Sequence, residues 1–195
     1  ACANRDVIGR VDVQRMTAAR GIIHEEVHAT DFQQTGGTFE MAQLWLNLPA
    51  KHKMDPPKYQ PILAKDIPVV PLKPTSESDA PKLSGENSVR VIAGDAAVYG
   101  VQGAATTHTP VELLDVRVAT PGVSFEIPVP EGHNAVVFVR RGAITVGEEQ
   151  KPVEQQGVAL MHRGGNALRL SAAEANTEIL LLGGEPIDEP IAARG

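Results

Sequence analysis

The chain has 195 residues, and 18 Lys and Arg against 24 Asp and Glu give it a formal net charge of −6 with histidine neutral. This acidic balance, without a block of basic residues, argues against direct nucleic-acid binding, which depends on neutralising phosphates. The 15 prolines and 18 glycines, beside 4% aromatic residues, predict many short elements joined by tight turns. An all-β fold is therefore expected.

The cysteine content and the lengths of the apolar runs indicate in which compartment the protein is found and whether it crosses a membrane. The only cysteine is Cys2, so no intrachain disulfide is possible and a reducing, cytoplasmic location is the expectation. The longest apolar runs, such as 135–139 and 179–182, are far shorter than the roughly 18 residues that cross a bilayer. No membrane association is expected.

The first clear pattern along the chain covers residues 39–48, where Glu40, Gln43 and Asn47 interrupt an apolar run that stops at Pro49. This pattern predicts a strand of a sandwich, covered on one face and partly on the other. Eight of the 15 prolines then fall within residues 49–81, which predicts an extended connector between two domains. Val69 and Val70 in this connector are expected to pack against a sheet.

Short apolar stretches recur from Val89 onward, separated by Gly, Pro or charged residues. They predict a second antiparallel sandwich or barrel. Leu113 and Val116 break the alternation, so a bulge or burial on both faces is expected there. The stretches are 89–93, 111–119, 123–129, 135–139, 144–146, 167–170 and 179–182.

Residues 24–28 read His-Glu-Glu-Val-His, which matches the zinc-peptidase pattern H-E-x-x-H. The pattern works only on a helix, where both imidazoles share a face and reach one zinc. Gly21 before it, and Thr30 and Asp31 after it, are poor helix formers. The longer pattern also fails, because Asp31 and Gln34 stand where its glycine and third histidine belong. A zinc peptidase is the minor alternative.

If residues 24–28 form a strand instead, a different pair of residues could bind one metal ion. His24 and Glu26 would then share one face, about 6.6 Å apart at roughly 3.3 Å per residue, and could converge on one ion. His24 and His28 would be about 13 Å apart, too far for one coordination shell. A His-x-Glu pair suits non-haem iron or a similar divalent ion. The pair also fits a solvated polar face, so both interpretations stay open on the pair alone.

Several motifs carry a resemblance to a known family. Residues 12–26, Asp-Val-Gln-Arg-Met-Thr-Ala-Ala-Arg-Gly-Ile-Ile-His-Glu-Glu, closely resemble the signature of the pirin family within the cupin superfamily. Residues 39–60 resemble the next pirin signature, and 107–111, 130–135 and 183–190 resemble later segments. The resemblance implies an all-β bicupin of two jelly-roll (double-stranded β-helix) barrels, with a mononuclear iron in the first and no metal in the second.

The pirin resemblance also implies metal ligands. Gly21-x-x-His24 matches the second cupin motif, and Glu26 stands where pirins place a ligating carboxylate. The first motif, with two more histidines, would lie upstream of residue 1, and pirins continue past residue 195 with a segment that crosses the first barrel. The chain is therefore interpreted as a pirin trimmed at both ends. It departs from the family pattern at Val11, Arg15 and Ala19.

The expected organisation follows from these motifs. Residues 1–48 are a partial N-terminal barrel with the remaining metal-ligand motif, 49–87 the connector, 88–184 a complete C-terminal barrel and 185–195 a tail. In the C-terminal barrel the general cupin spacing, anchored on glycines, puts the four ligand positions on apolar residues that cannot bind iron. His133 lies beside this frame and is expected to be a surface or loop histidine, as are His52, His108 and His162. The four ligand positions are Pro128, Pro130, Ala135 and Leu168.

Two functions follow from the resemblance. The first is a non-haem iron protein with quercetin (flavonol) 2,3-dioxygenase-type activity, in which His24 and Glu26 are two of four iron ligands and Glu26 also accepts a proton from a bound phenol. The second is a non-catalytic interaction or regulatory scaffold whose metal site is lost or incomplete. The expected partners are a small flavonol-like substrate, other proteins, and a second copy in a homodimer, because an incomplete barrel exposes strand edges and apolar interior.

Overall fold

The computed structural model describes residues 5–79 and 87–191. It divides into an N-terminal unit, Ala1–Ala64 with Ile187–Gly195, and a C-terminal unit, Lys65–Pro186. The finer boundaries expected after residues 48, 87 and 184 stay predictions. Cys2, residues 80–86 of the predicted connector and residues 192–195 of the predicted tail lie outside the described residues.

Regular structure in the described part of the N-terminal unit is sparse. Its two strands pair antiparallel, with Val13 opposite Ile62 and Thr17 opposite Lys58. Thr17 and Ile62 are buried, and the one helix buries no residue. The elements are β1 (Val13–Thr17), α1 (Thr30–Thr35), a 3-10 turn (Ala50–His52) and β2 (Lys58–Ile62).

The strand predicted for residues 39–48 is wrong. This stretch has no regular secondary structure, and its Trp45 is 95% exposed. A strand needs a neighbour for its backbone N–H and C=O groups. In the described part of the chain no strand pairs with this stretch, so its apolar pattern alone does not make it a strand.

The C-terminal unit consists of two antiparallel sheets. Its strands are β3 (Val69–Pro71), β4 (Lys73–Pro74), β5 (Ser88–Ala93), β6 (Val111–Val118), β7 (Ser124–Pro128), β8 (Asn134–Arg141), β9 (Ile144–Val146), β10 (Lys151–Val153), β11 (Val158–Leu160), β12 (Ala167–Ala172) and β13 (Thr177–Gly184). One sheet has the order β10-β9-β12-β7-β4, and the other β11-β8-β13-β6-β5-β3. A short helix, α2 (Ala96–Tyr99), follows β5. Another 3-10 turn, Ala64–Asp66, falls at the boundary between the two units.

The seven strands predicted from residue 89 onward are all present, as β5 to β9, β12 and β13. Val69 and Val70 also behave as expected, because β3 pairs with β5 and Val70 packs against the core. The two helices have six and four residues. No described helix is therefore a candidate for crossing a membrane.

The core of the C-terminal unit lies between its two sheets. Leu114 and Val116 of β6 are fully buried together with Phe125 of β7, and each such side chain contributes roughly 1.5–3 kcal/mol to stability. Asp115, between the first two, is also buried. Strand β5 changes register between Val91 and Ala93, opposite this part of β6. The expected irregularity with burial on both faces is therefore confirmed.

Candidate functional site

The predicted ligands His24 and Glu26 lie in residues 21–29, which form neither helix nor strand, and both side chains are exposed. The helix that an H-E-x-x-H zinc site requires is absent. The strand geometry considered for this pair is absent too, so the spacing calculated for a straight strand does not apply. The zinc-peptidase interpretation loses its structural basis.

His28, the second histidine of that pattern, belongs to an aromatic cluster. Its ring meets Phe32 edge-on with 5.4 Å between centroids and Phe39 with 4.9 Å, and the two Phe rings are 6.0 Å apart. Gln33 Nε2 donates a hydrogen bond of 2.6 Å to the His28 carbonyl. His28 is exposed, so this aromatic cluster lies at the surface beside the start of α1.

The donor types at His24 and Glu26 fit a divalent metal, since imidazole and carboxylate both bind iron. Two donor side chains alone do not form a complete metal site. Among the described residues, neither belongs to a group of three or more possible ligands close enough to share one ion. The described part of the chain therefore shows no complete metal site at His24 and Glu26.

His52, expected on the surface, is partly buried and paired within its own turn. Its Nδ1 lies 2.8 Å from Oδ2 of Asp55, and the Arg20 N–H donates to the Asp55 carbonyl at 3.3 Å. The contact ties the turn after Pro49 to the chain just before Gly21. The sequence signal for this pair is the spacing of three residues between His52 and Asp55. Of the other expected surface histidines, His162 is exposed and His108 is partly buried.

The four cupin ligand positions of the C-terminal unit carry no metal-binding side chain. Ala135 and Leu168 are buried in the core, and Leu168 of β12 lies opposite Ile127 of β7. Pro128 and Pro130 are partly buried where β7 ends. Ala135 and Leu168 therefore add hydrocarbon to the core where a metal site would need nitrogen or oxygen donors.

His133 lies in the loop as expected, but it is not a surface residue: its side chain is 12% exposed, and its Nδ1 lies 3.2 Å from Oε2 of Glu112. The Glu112 side chain is 3% exposed. The sequence held one signal for this pair, since Glu112 stands two residues before Leu114 and shares its inward register.

Tyr99 at the end of α2 lies near this pair. Its hydroxyl donates to the Pro128 carbonyl at 3.2 Å, and its ring packs against the core. Burial first, and then the negative charge of Glu112, raise the pKa of the Tyr99 phenol above its ordinary value. Tyr99 therefore stays protonated and keeps donating.

A separate ion network lies across the six-stranded sheet. Asp115 accepts from Arg90 at 2.8 Å and from Arg140 at 3.0 Å, and Arg140 also pairs with Glu178 at 3.0 Å. The Asp115 side chain is 5% exposed, so its charge depends on these arginines. This network is structural, because its members bond to one another.

Comparison with known proteins agrees with this architecture. The family model for pirin matches residues 1–46, and the model for the pirin C-terminal cupin domain matches residues 113–195. "Putative quercetin 2,3-dioxygenase PA2418" of Pseudomonas aeruginosa is 46% identical over 189 residues, which are 96% of this chain and 60% of that protein. "Pirin-like protein" of Solanum lycopersicum is 33% identical over 185 residues, which are 94% of this chain and 57% of that protein.

A solved structure agrees as well. The crystal structure of a quercetin 2,3-dioxygenase from Acinetobacter baumannii superposes with a TM-score of 0.84 at 41% identity, covering 96% of this chain and 60% of that one. The chain thus spans about three fifths of the length of the curated relatives described above. The predicted all-β cupin fold is confirmed. The two pirin models together match most of the chain, which therefore belongs to the pirin family of cupin proteins.

Proposed function

We propose that the protein binds divalent non-haem iron through His24 and Glu26, and that its full-length form has quercetin 2,3-dioxygenase-type activity on a flavonol-like substrate. The observation that carries this proposal is the 46% identity to a relative named for that activity. The pirin model that matches residues 1–46 includes both proposed ligands. Substrate and activity belong to the whole protein, of which these residues supply about three fifths of the relatives' length.

The chemistry of the two side chains supports the metal. An imidazole nitrogen and a carboxylate oxygen are suited to Fe²⁺, which when bound would supply redox chemistry with dioxygen. Both side chains are exposed, so neither must leave a packed core to bind an ion. We place the remaining ligands in the part of the pirin fold that these 195 residues do not contain.

Iron content of carboxylate variants of the full-length protein tests the proposal. After anaerobic loading with Fe²⁺ and desalting, Glu26→Gln should retain at least tenfold less iron per chain than the wild type. Glu25→Gln is the matched control, because Glu25 is an equally exposed neighbouring carboxylate, and it should retain wild-type iron. Equal iron in both variants would remove Glu26 from the site.

A second function, a non-catalytic interaction scaffold, is favoured by one observation. Among the described residues, 14 of the 17 exposed large hydrophobic side chains lie in the N-terminal unit. Exposed apolar surface of this kind marks contact with another chain. A scaffold would hold no iron, so a stoichiometric iron content of the wild-type protein would exclude this function.

A further inference from the structure

One row of side chains crosses the outer face of the six-stranded sheet. Ser88 of β5 and Glu178 of β13 both lie opposite Arg117 of β6, so the three residues stand side by side on neighbouring strands. Val116 and Val118, on either side of Arg117 in β6, are fully buried in the core. Because side chains alternate along a strand, the row of Arg117 faces away from that core.

The guanidinium of Arg117 has no partner within the described part of the chain. Its Nε is sealed from solvent and makes no hydrogen bond, and its two Nη atoms form no hydrogen bond or ion pair with any described residue. These Nη atoms are not among the sealed ones, so they are open to an incoming molecule. An arginine enclosed on one edge and open on the other presents a preorganised pair of donors.

The neighbouring charges are already paired. Glu178 lies opposite Arg117, but its carboxylate pairs with Arg140 at 3.0 Å. Asp115 accepts from Arg90 at 2.8 Å and from Arg140 at 3.0 Å. Among these five residues three arginines face two carboxylates, and the unmatched positive charge is that of Arg117. A partly desolvated cation attracts an anion more strongly than a fully hydrated one does.

A cavity of about 410 Å³ lies beside this arginine, where β6 ends and β13 begins. Sites for small organic molecules are of this size, roughly 300–1,000 Å³, and a single inorganic ion would fill only part of it. Ser88 and Asn176 also line the cavity, and their side chains make no hydrogen bond within the residues that the structure describes. Their hydroxyl and amide groups can therefore donate to the same ligand as Arg117.

The donors and the charge select the class of ligand. A guanidinium offers two parallel N–H groups that match the two oxygens of a carboxylate. The Glu178 carboxylate in the same wall would repel a second negative charge, which disfavours a phosphate or sulfate dianion. The volume leaves room for a carbon skeleton beside the carboxylate.

We propose that this cavity, formed around Ser88, Arg117, Asn176 and Glu178, binds a small organic monocarboxylate through the two Nη atoms of Arg117. Ser88 and Asn176 donate further hydrogen bonds to the bound carboxylate, and Glu178 excludes doubly charged anions. The site uses no metal and no residue of the N-terminal unit, so its failure would leave the iron proposal untouched.

Fluorine NMR titration of the 195-residue chain with millimolar 4-fluorobenzoate tests the site. The wild type should bind this probe, and Arg117→Gln should weaken binding at least tenfold. Arg169→Gln is the matched control, because Arg169 is an exposed arginine on β12 of the other sheet, and it should bind as the wild type does. Absence of binding to the wild type, or equal binding by Arg117→Gln, would overturn the proposal.

Two further compounds test the wild type alone, so the result does not depend on how a variant folds. 4-Fluorobenzamide keeps the ring and lacks the charge, and it should bind at least tenfold more weakly than 4-fluorobenzoate. Sulfate at equal concentration should not displace bound 4-fluorobenzoate, because Glu178 disfavours a dianion. Equal affinity for the two aromatic probes, or displacement by sulfate, would contradict the proposal.

Nitrogen-15 NMR of the arginine side chains locates the bound probe. Addition of 4-fluorobenzoate should shift the Nε–H signal of Arg117 in the wild type and leave that of Arg169 in place. An Arg117 signal that stays unmoved at saturating probe would show that the carboxylate binds elsewhere, and the proposal would then be wrong.

Discussion

Nδ1 of His133 lies 3.2 Å from Oε2 of Glu112, and both side chains are almost enclosed at one end of the C-terminal unit. The two residues are 21 positions apart in sequence, and β13 contributes the glycine that leaves space for them. A pirin barrel whose cupin ligand positions are apolar thus still holds an ordered polar pair at the same end.

Replacing Gly183 by alanine should destabilise the C-terminal unit. The new Cβ would lie 2.7 Å from Oε2 of Glu112 and 3.1 Å from the Asn134 carbonyl, and such overpacking typically costs about 1–3 kcal/mol. Urea unfolding should show this loss. Gly164→Ala is the control, because nothing lies within 4 Å of its Cβ. Equal stability of the two variants would mean that Glu112 moves aside freely.

Asp115→Asn should be among the most destabilising conservative substitutions. It removes the buried charge that Arg90 and Arg140 share, and breaking a buried pair costs about 3–5 kcal/mol. Thermal and urea unfolding measure the effect. Glu149→Gln is the control, since its pair with Lys151 is exposed on both sides, and it should leave stability unchanged. A loss no larger than that of the control would show that the network contributes nothing.

The phenol of Tyr99 should make stability fall at high pH. Because burial and the charge of Glu112 raise its pKa above the ordinary value of 10.0, folding favours the protonated form. The stabilisation is complete below about pH 10, the unfolded pKa, and is lost as pH rises toward the folded pKa. Unfolding free energies from pH 8 to 11 should decline less steeply in Tyr99→Phe than in the wild type. Tyr59→Phe, at a less buried phenol, should change the slope less, and the reverse order would contradict this assignment.

The 195-residue chain should self-associate through its N-terminal unit. Trp45 is 95% exposed and Ile23 fully exposed, and a second copy would remove such apolar surface from water. Light scattering at micromolar concentration should give a dimer mass, and Trp45→Ser should shift it toward the monomer. Leu160→Ser, at an exposed leucine of the C-terminal unit, should not. A strictly monomeric wild type would exclude the homodimer.

The sequence predicted the C-terminal strands because each buried stretch, such as Ile144–Val146, is bounded by Gly, Pro or charged residues and completes its pairing within the same unit. Residues 39–48 have a similar apolar content, but a strand also needs a partner, and pattern does not reveal whether one is present. Local pattern therefore predicts strands only where the neighbouring strands are present as well.

The candidate site residues also differ in whether the sequence alone could predict them. Residue type and spacing proposed His24 and Glu26 as one possible pair, and the resemblance to the pirin signature made them the proposed ligands. The pairing of His133 with Glu112 depends on β6, β8 and β13 lying side by side, which no local spacing encodes. His133 was therefore expected to be a surface or loop histidine; it does lie in a loop, but its side chain is only 12% exposed.

The iron content per chain of the full-length protein, measured by plasma mass spectrometry after anaerobic loading with Fe²⁺, tests directly whether His24 binds the metal. His28→Phe is the matched control for His24→Ala, because it removes a histidine from the same segment while keeping a ring against Phe32 and Phe39. We expect about one iron per chain in the wild type and in His28→Phe, and at least a tenfold loss in His24→Ala. Unchanged iron in His24→Ala, or loss of iron in His28→Phe alone, would contradict this expectation.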